Sequence, residues 1–157
     1  MDERAFQDFY PDDSAVCYGC GRLNALGLHI RSFWEGDESV CRFQPRAEHS
    51  AVAGFVYGGL IASLIDCHGT GTAAAAAYRA ENRPQDSLPS FRFVTASLHV
   101  DYRKPTPMGA LLLLRGRVVE HKGRKVVVAI RLTANGELCA EGTVVAVQIP
   151  ETMLGKL

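Results

Sequence analysis

Asp66 is a carboxylate set in VYGGLIASLID, a stretch that otherwise reads as a helix built for burial. An unpaired buried charge costs several kcal/mol, so an acid where Ala or Leu would serve points to a task. The functional reading is a general base or nucleophile in a semi-dry cleft, its basicity raised by desolvation. The plainer reading is an aspartate at the helix surface or at a subunit contact, satisfied by a neighbouring group. Gly58 and Gly59 open the same helix. Backbone N–H groups at that positive dipole end suit a carbonyl oxygen that gains charge, though two glycines also make a tight entry turn or a packing point. Gly58 and Asp66 lie eight residues apart, about 12 Å along one helix. One carbonyl cannot touch both in one chain. If both act, the glycine end of one subunit must meet the aspartate of another.

Five cysteines stand at 17, 20, 41, 67 and 139. The odd count and the acidic start MDERAFQDFYPDD, which has no apolar run, lead us to expect a reducing cytoplasm. Cys17-x-x-Cys20 invites a zinc or redox reading, but a structural zinc site wants four ligands and no second pair follows. His29, Cys41, Cys67 and His68 could complete one only through tertiary placement. A packing and turn role, with no metal, is the expectation. Cys67 and His68 are adjacent on the helix and point apart, which argues against a cysteine hydrolase. His49 either lines the pocket or is a surface histidine.

These residues need elements to position them. Length, 157 residues, suits one domain, and 47% hydrophobic content suits a packed core. Lys+Arg and Asp+Glu are 17 each, which gives no hold for nucleic acid. The apolar stretch from 51 to 80 carries Asp66 and His68 and lacks a flanking basic cluster, so we read it as a buried helix and expect no membrane contact. Residues 1–26 are expected to form a lead-in, loose or weakly helical at first and then a glycine-rich turn. Residues 27–149 are expected to form the main domain and 150–157 a tail.

Within that domain the pattern predicts short strands at 28–33 and 39–43 about the turn Glu35-Gly36-Asp37, then one helix over 57–79. After the polar exit ENRPQDSLP, strands are expected at 91–103, 110–120, 125–133 and 138–149. HKGR and Asn135-Gly136 are the turns of the later hairpins. Strict alternation in the first of these long strands sets Val94, Ala96, Leu98, Val100 and Tyr102 on one face and Thr95, Ser97, His99 and Asp101 on the other. The whole is an α+β arrangement, a curved antiparallel sheet around one long central helix.

VYGGLIASLID followed by VTASLHVDYRKPTPMG resembles the signature of hotdog-fold acyl-CoA thioesterases, closest to the PaaI-type branch of that superfamily. CYGCGRLNALGL is similar to the segment before the first strand in that group, so the resemblance runs from Cys17 to Val147. It implies a thioester hydrolase that works as a homodimer or homotetramer. Asp66 would activate water or attack the thioester, Thr95 from the partner subunit would hold the water, and the Gly58 N–H would polarise the carbonyl. The family motif reads His-Gly-Gly where this chain has Tyr57, whose hydroxyl can still donate a hydrogen bond but whose bulk reshapes the pocket. Gly59 is expected at the substrate. Arg103, Lys104, Arg124 and Lys125, at strand ends, are the expected partners of the coenzyme A phosphates, or else ordinary surface charge. No cofactor is expected beyond coenzyme A as part of the substrate.

Two other readings stand beside this one. A hotdog dehydratase would need a histidine–carboxylate pair, and His68 and His99 have no acidic partner evident from spacing. A hotdog protein that binds acyl-CoA without cleaving it is the alternative that Tyr57 suggests. Gly69, Gly71 and Ala73 to Ala77 either open room for an acyl chain or let the helix pack closely on the sheet.

Overall fold

A computed structural model describes residues 4–154, so the first three residues of the lead-in and the last three of the tail lie outside the described residues. The elements in chain order are β1 (Ser32–Glu35), β2 (Glu38–Phe43), α1 (Gly58–Ala80), β3 (Phe93–Tyr102), β4 (Leu112–Lys122), β5 (Lys125–Ala134), β6 (Glu137–Gln148) and the short α2 (Glu151–Leu154). The six strands form one sheet in the order β1-β2-β4-β5-β6-β3, every pair antiparallel. The sheet packs around α1, as the hotdog resemblance implies.

Asn135 and Gly136, both at positive φ (52° and 78°), join β5 to β6 in the tight turn that this dipeptide favours. Leu112, Leu114, Val128, Ile130, Leu132 and Val144 are buried on the inner face, and Leu60, Ile61, Leu64 and Ile65 of α1 are buried with them. Each such side chain contributes roughly 1.5–3 kcal/mol when taken from water. The alanine run 73–77 supplies the strongest helix formers to the C-terminal half of α1. In its middle, Gly69 has a structural reason: a Cβ there would come within 2.5 Å of Val144 Cγ2, so the helix sits closer to β6 than any larger residue allows.

Two expectations need correction, and one is narrowed. The first strand begins at Ser32, not Leu28, because Leu28 and Ile30 give their N–H groups to Tyr18 and Gly19 of the preceding turn, and His29 takes a positive φ of 53°. Of the two forms expected for the lead-in, the weakly helical one is found: it forms 3-10 turns at Phe6–Phe9 and Asp12–Ser14, with Phe6 and Gln7 buried and the Phe6 ring 5.1 Å from Trp34. Alternation in β3 is not strict either. Thr95 pairs with Ala146 and Ser97 with Val145, which leaves Ala96 as the extra residue of a β-bulge.

Candidate functional site

The bulge is what aims Thr95. Residues opposite one another on neighbouring antiparallel strands share a face. Thr95 lies opposite Ala146, and Leu98 opposite Val144, both buried on the helix side of β6. Unbroken alternation would have put Thr95 and Leu98 on opposite faces. A bulge re-aims a side chain in this way. The Thr95 hydroxyl consequently donates to Oδ1 of Asp66, which stands half-buried on α1. Thr95, which the resemblance assigns to the partner subunit, reaches the aspartate of its own chain. The pair borders a cleft of about 480 Å³ whose walls include Cys17, Cys20, Cys67 and Phe93.

Gly58 and Gly59 are the first residues of α1, so their N–H groups have no carbonyl one turn earlier in the helix to meet. Tyr57 is the N-cap; its own N–H bonds to His49 O at 2.8 Å and its exposed ring stands over Gly59. The Tyr102 hydroxyl donates to Gly58 O at 2.6 Å. Burial, with the Tyr57 phenol nearby, pushes the Tyr102 phenol up. Asp66 and Thr95 therefore mark one end of β3, and Gly58, Tyr57 and Tyr102 the other. Within one chain the two groups remain apart.

The expected phosphate partners are also divided. Arg103 and Lys104 follow the Tyr102 end of β3; Arg103 pairs with Asp101 at 3.5 Å and Glu141 at 3.1 Å, Lys104 with Glu137 at 3.4 Å. Arg124 and Lys125 sit beside Gln148 and Val147, near the Phe93 end, with Lys125 2.8 Å from Glu120.

Histidines fall differently from expectation. His99 does have an acid: its Nε2 is 3.1 Å from Asp101 Oδ2, two residues along the same strand, though both side chains are largely exposed. His68 has hydroxyls instead. It is fully buried, with Ser32 Oγ 2.8 Å from Nδ1 and Ser39 Oγ 3.1 Å from Nε2. Thr72 donates to Ser39 at 2.6 Å, and the Gln7 amide donates to Ser32 at 3.2 Å. Burial pushes the His68 imidazole down to about 4, so the ring is neutral at pH 7. His49 is buried against Phe43 and accepts the Arg46 N–H at 3.0 Å, away from the cleft.

Cys17, Cys20 and Cys67 come together, their three sulfurs all within 4.8 Å of one another and Cys17 Sγ 4.0 Å from Cys67 Sγ. Hydrogen bonds from the Cys20 and Cys67 thiols, and from the backbone N–H groups of Cys20 and Gly19, hold the Cys17 thiol far below its ordinary range. Sequence spacing supplies two members of this group. The third comes from 47 positions further on and is brought in by tertiary packing alone.

Known proteins resemble this chain in sequence and in fold. Residues 53–146 match the thioesterase superfamily. Acyl-coenzyme A thioesterase THEM4 of Xenopus laevis is 30% identical over 116 residues, 73% of this chain and 46% of that protein, so the chain spans less than half the length of this relative. The crystal structure of a thioesterase superfamily protein from Shewanella loihica PV-4 is 47% identical, covering 92% of this chain and 99% of that one with a TM-score of 0.68. The PaaI protein of the E. coli phenylacetic acid degradation operon is 15% identical over 78% of this chain and 81% of its own, with a TM-score of 0.63; that likeness is one of fold. Among the described residues, no helix is long and apolar enough to cross a membrane.

Proposed function

Because this chain belongs to the thioesterase superfamily, we propose that it hydrolyses acyl-coenzyme A thioesters to the free acid and coenzyme A, with Asp66 as the carboxylate that drives the reaction. The observation that carries this reading is the hydrogen bond from Thr95 to Asp66 at the wall of the cleft, on a helix where an acid has no packing use. Asp66 accepts a proton from water while Thr95 steadies the carboxylate and the water. The water oxygen adds to the thioester carbon, the C–S bond breaks, and the leaving thiolate takes up the proton. Attack by Asp66 itself, followed by hydrolysis of the anhydride, uses the same geometry.

Developing charge on the carbonyl oxygen needs N–H donors, and the free N–H groups of Gly58 and Gly59 are of the right kind. A homodimer brings them within reach. β3 is an open edge of the sheet with Val94, Leu98 and Tyr102 exposed, and such an edge takes a second strand readily. Antiparallel pairing of two β3 edges sets the Thr95 end of one chain against the Tyr102 end of the other. Asp66 then faces Gly58 of the partner subunit, and Arg103 and Lys104 approach the partner subunit's Arg124 and Lys125, where four cations could share the coenzyme A phosphates.

The test is thiol release over a panel of acyl-CoAs, wild type beside Asp66→Ala, with circular dichroism to establish folding. Loss of release in a folded variant is the expected result; equal rates would remove Asp66 from the chemistry. Tyr57, whose ring stands over Gly59 where the resemblance implies a histidine, supports a second reading, binding without hydrolysis. Tight acyl-CoA binding by calorimetry with no thiol release from either protein would favour it.

A further inference from the structure

Cys17, Cys20 and Cys67 have the features of a ligand set. The sulfurs of a tetrahedral zinc site stand roughly 3.8 Å apart, given bonds of about 2.3 Å, and Cys17 and Cys67 are 4.0 Å apart with Cys20 in the same group. The turn CYGCG brings Cys17 and Cys20 to one place beside Cys67, and a metal ion binds such sulfurs as thiolates. Gly19 is a glycine for a reason on the other side of the turn: a Cβ there would overlap Cys67 Sγ, so the absence of a side chain admits the third thiol. The turn itself is fastened to the fold, with Leu28 N–H bonded to Tyr18 O at 2.8 Å and Ile30 N–H to Gly19 O at 3.0 Å. Cys41 and Cys139, the remaining thiols, do not belong to the group.

We propose that Cys17, Cys20 and Cys67 form a binding site for a soft divalent cation, zinc in the first place, with three thiolates from the protein and a fourth position open to the cleft beside Asp66. Three thiolates with one open position is the pattern of a site that keeps a water or takes a ligand. Cys17 is exposed, so a cation can enter without the fold opening. Binding releases thiol protons, and it ties the CYGCG turn to the centre of α1, one residue from Asp66. The site stands on its own geometry, and its test does not read hydrolysis.

The experiment uses the full chain, reduced, stripped with a chelator and titrated with Co²⁺, then with Zn²⁺. We expect one Co²⁺ per chain, with thiolate-to-cobalt charge-transfer absorption and the visible bands of a tetrahedral ion, and loss of both when Zn²⁺ is added. Cys17→Ser, a change at an exposed position, and Cys67→Ser should each weaken binding roughly 100-fold or more, as removal of one of three thiolates implies. Gly19→Ala keeps every thiol and should still weaken it. Cys41→Ala and Cys139→Ala should leave it unchanged, with circular dichroism reporting the fold of each variant. Absence of the charge-transfer band in the wild type, or an equal band in Cys17→Ser, overturns the proposal. So does a chain that takes up no cobalt but loses two hydrogens to a disulfide within the group on treatment with peroxide.

Discussion

Thr95 and Leu98 share the helix-facing side of β3 although alternation would separate them, because Ala96 between them has no partner on β6. Deleting Ala96 should restore alternation, with the longer segment after it holding its register on β6 and Thr95 turning outward. Thiol release by the deletion variant is then expected to fall to the rate of Thr95→Ala. A deletion variant as fast as the wild type would show that Asp66 does not use Thr95.

Asp66→Asn keeps the shape of the side chain and removes its ability to take a proton. Steady-state kinetics on the best acyl-CoA should show kcat lowered by about 10²–10⁴, with KM changed only a few-fold. Thr95→Ser, which retains the hydroxyl, should stay close to wild type.

Leu98→Lys places a charge on the open edge of the sheet, one of the devices that keep strands from pairing. Sedimentation should report a shift from dimer to monomer, and thiol release should fall with it although Leu98 touches no reacting group. A monomer of full activity would mean that each chain holds a complete site.

His68 should make the fold sensitive to acid. Its native value, about 4, lies below the roughly 6.5 of an exposed histidine, so the unfolded chain takes up the proton first as pH falls. Its contribution is therefore present at pH 7, declines as pH drops below about 6.5, and levels off below the native value. Urea unfolding at pH 7 and pH 5 should differ by about 2 kcal/mol more for wild type than for His68→Gln. Equal differences would mean that the native ring takes up its proton as readily as the ring of the unfolded chain.

Gly69→Ala drives a methyl into Val144, whose Cγ2 would lie 2.5 Å away. A loss of about 1–3 kcal/mol in urea unfolding is expected. Val144→Ala in the same chain should recover part of it, since the two sites share one contact.

The central helix, the four long strands and their turns were legible in the sequence because each rests on local pattern: an apolar run with an alanine stretch, period-two alternation, and Asn135-Gly136. Asp66 stood out because its surroundings made it costly. The Ala96 bulge was not legible, since a single extra residue leaves the alternation of VTASLHVDY looking intact. Nor could spacing reveal that Cys67 joins Cys17 and Cys20, or that His68 is held by serines from β1 and β2. Those pairings come from how the sheet curves about the helix, and no short-range signal encodes that.

α1 is apolar around its circumference, so rolling it about its own axis would change little in the surface it buries. His68 removes that indifference. Its two ring nitrogens engage Ser32 and Ser39, on the β1–β2 side of the sheet, and a neutral imidazole satisfied at both ends has one favourable setting. Asp66, two positions earlier, points about 200° round the helix from it, toward β3 at the opposite edge. The buried ring thus works as the index mark of a dial: it fixes the angle of the helix, and by that angle it keeps the carboxylate turned to its threonine.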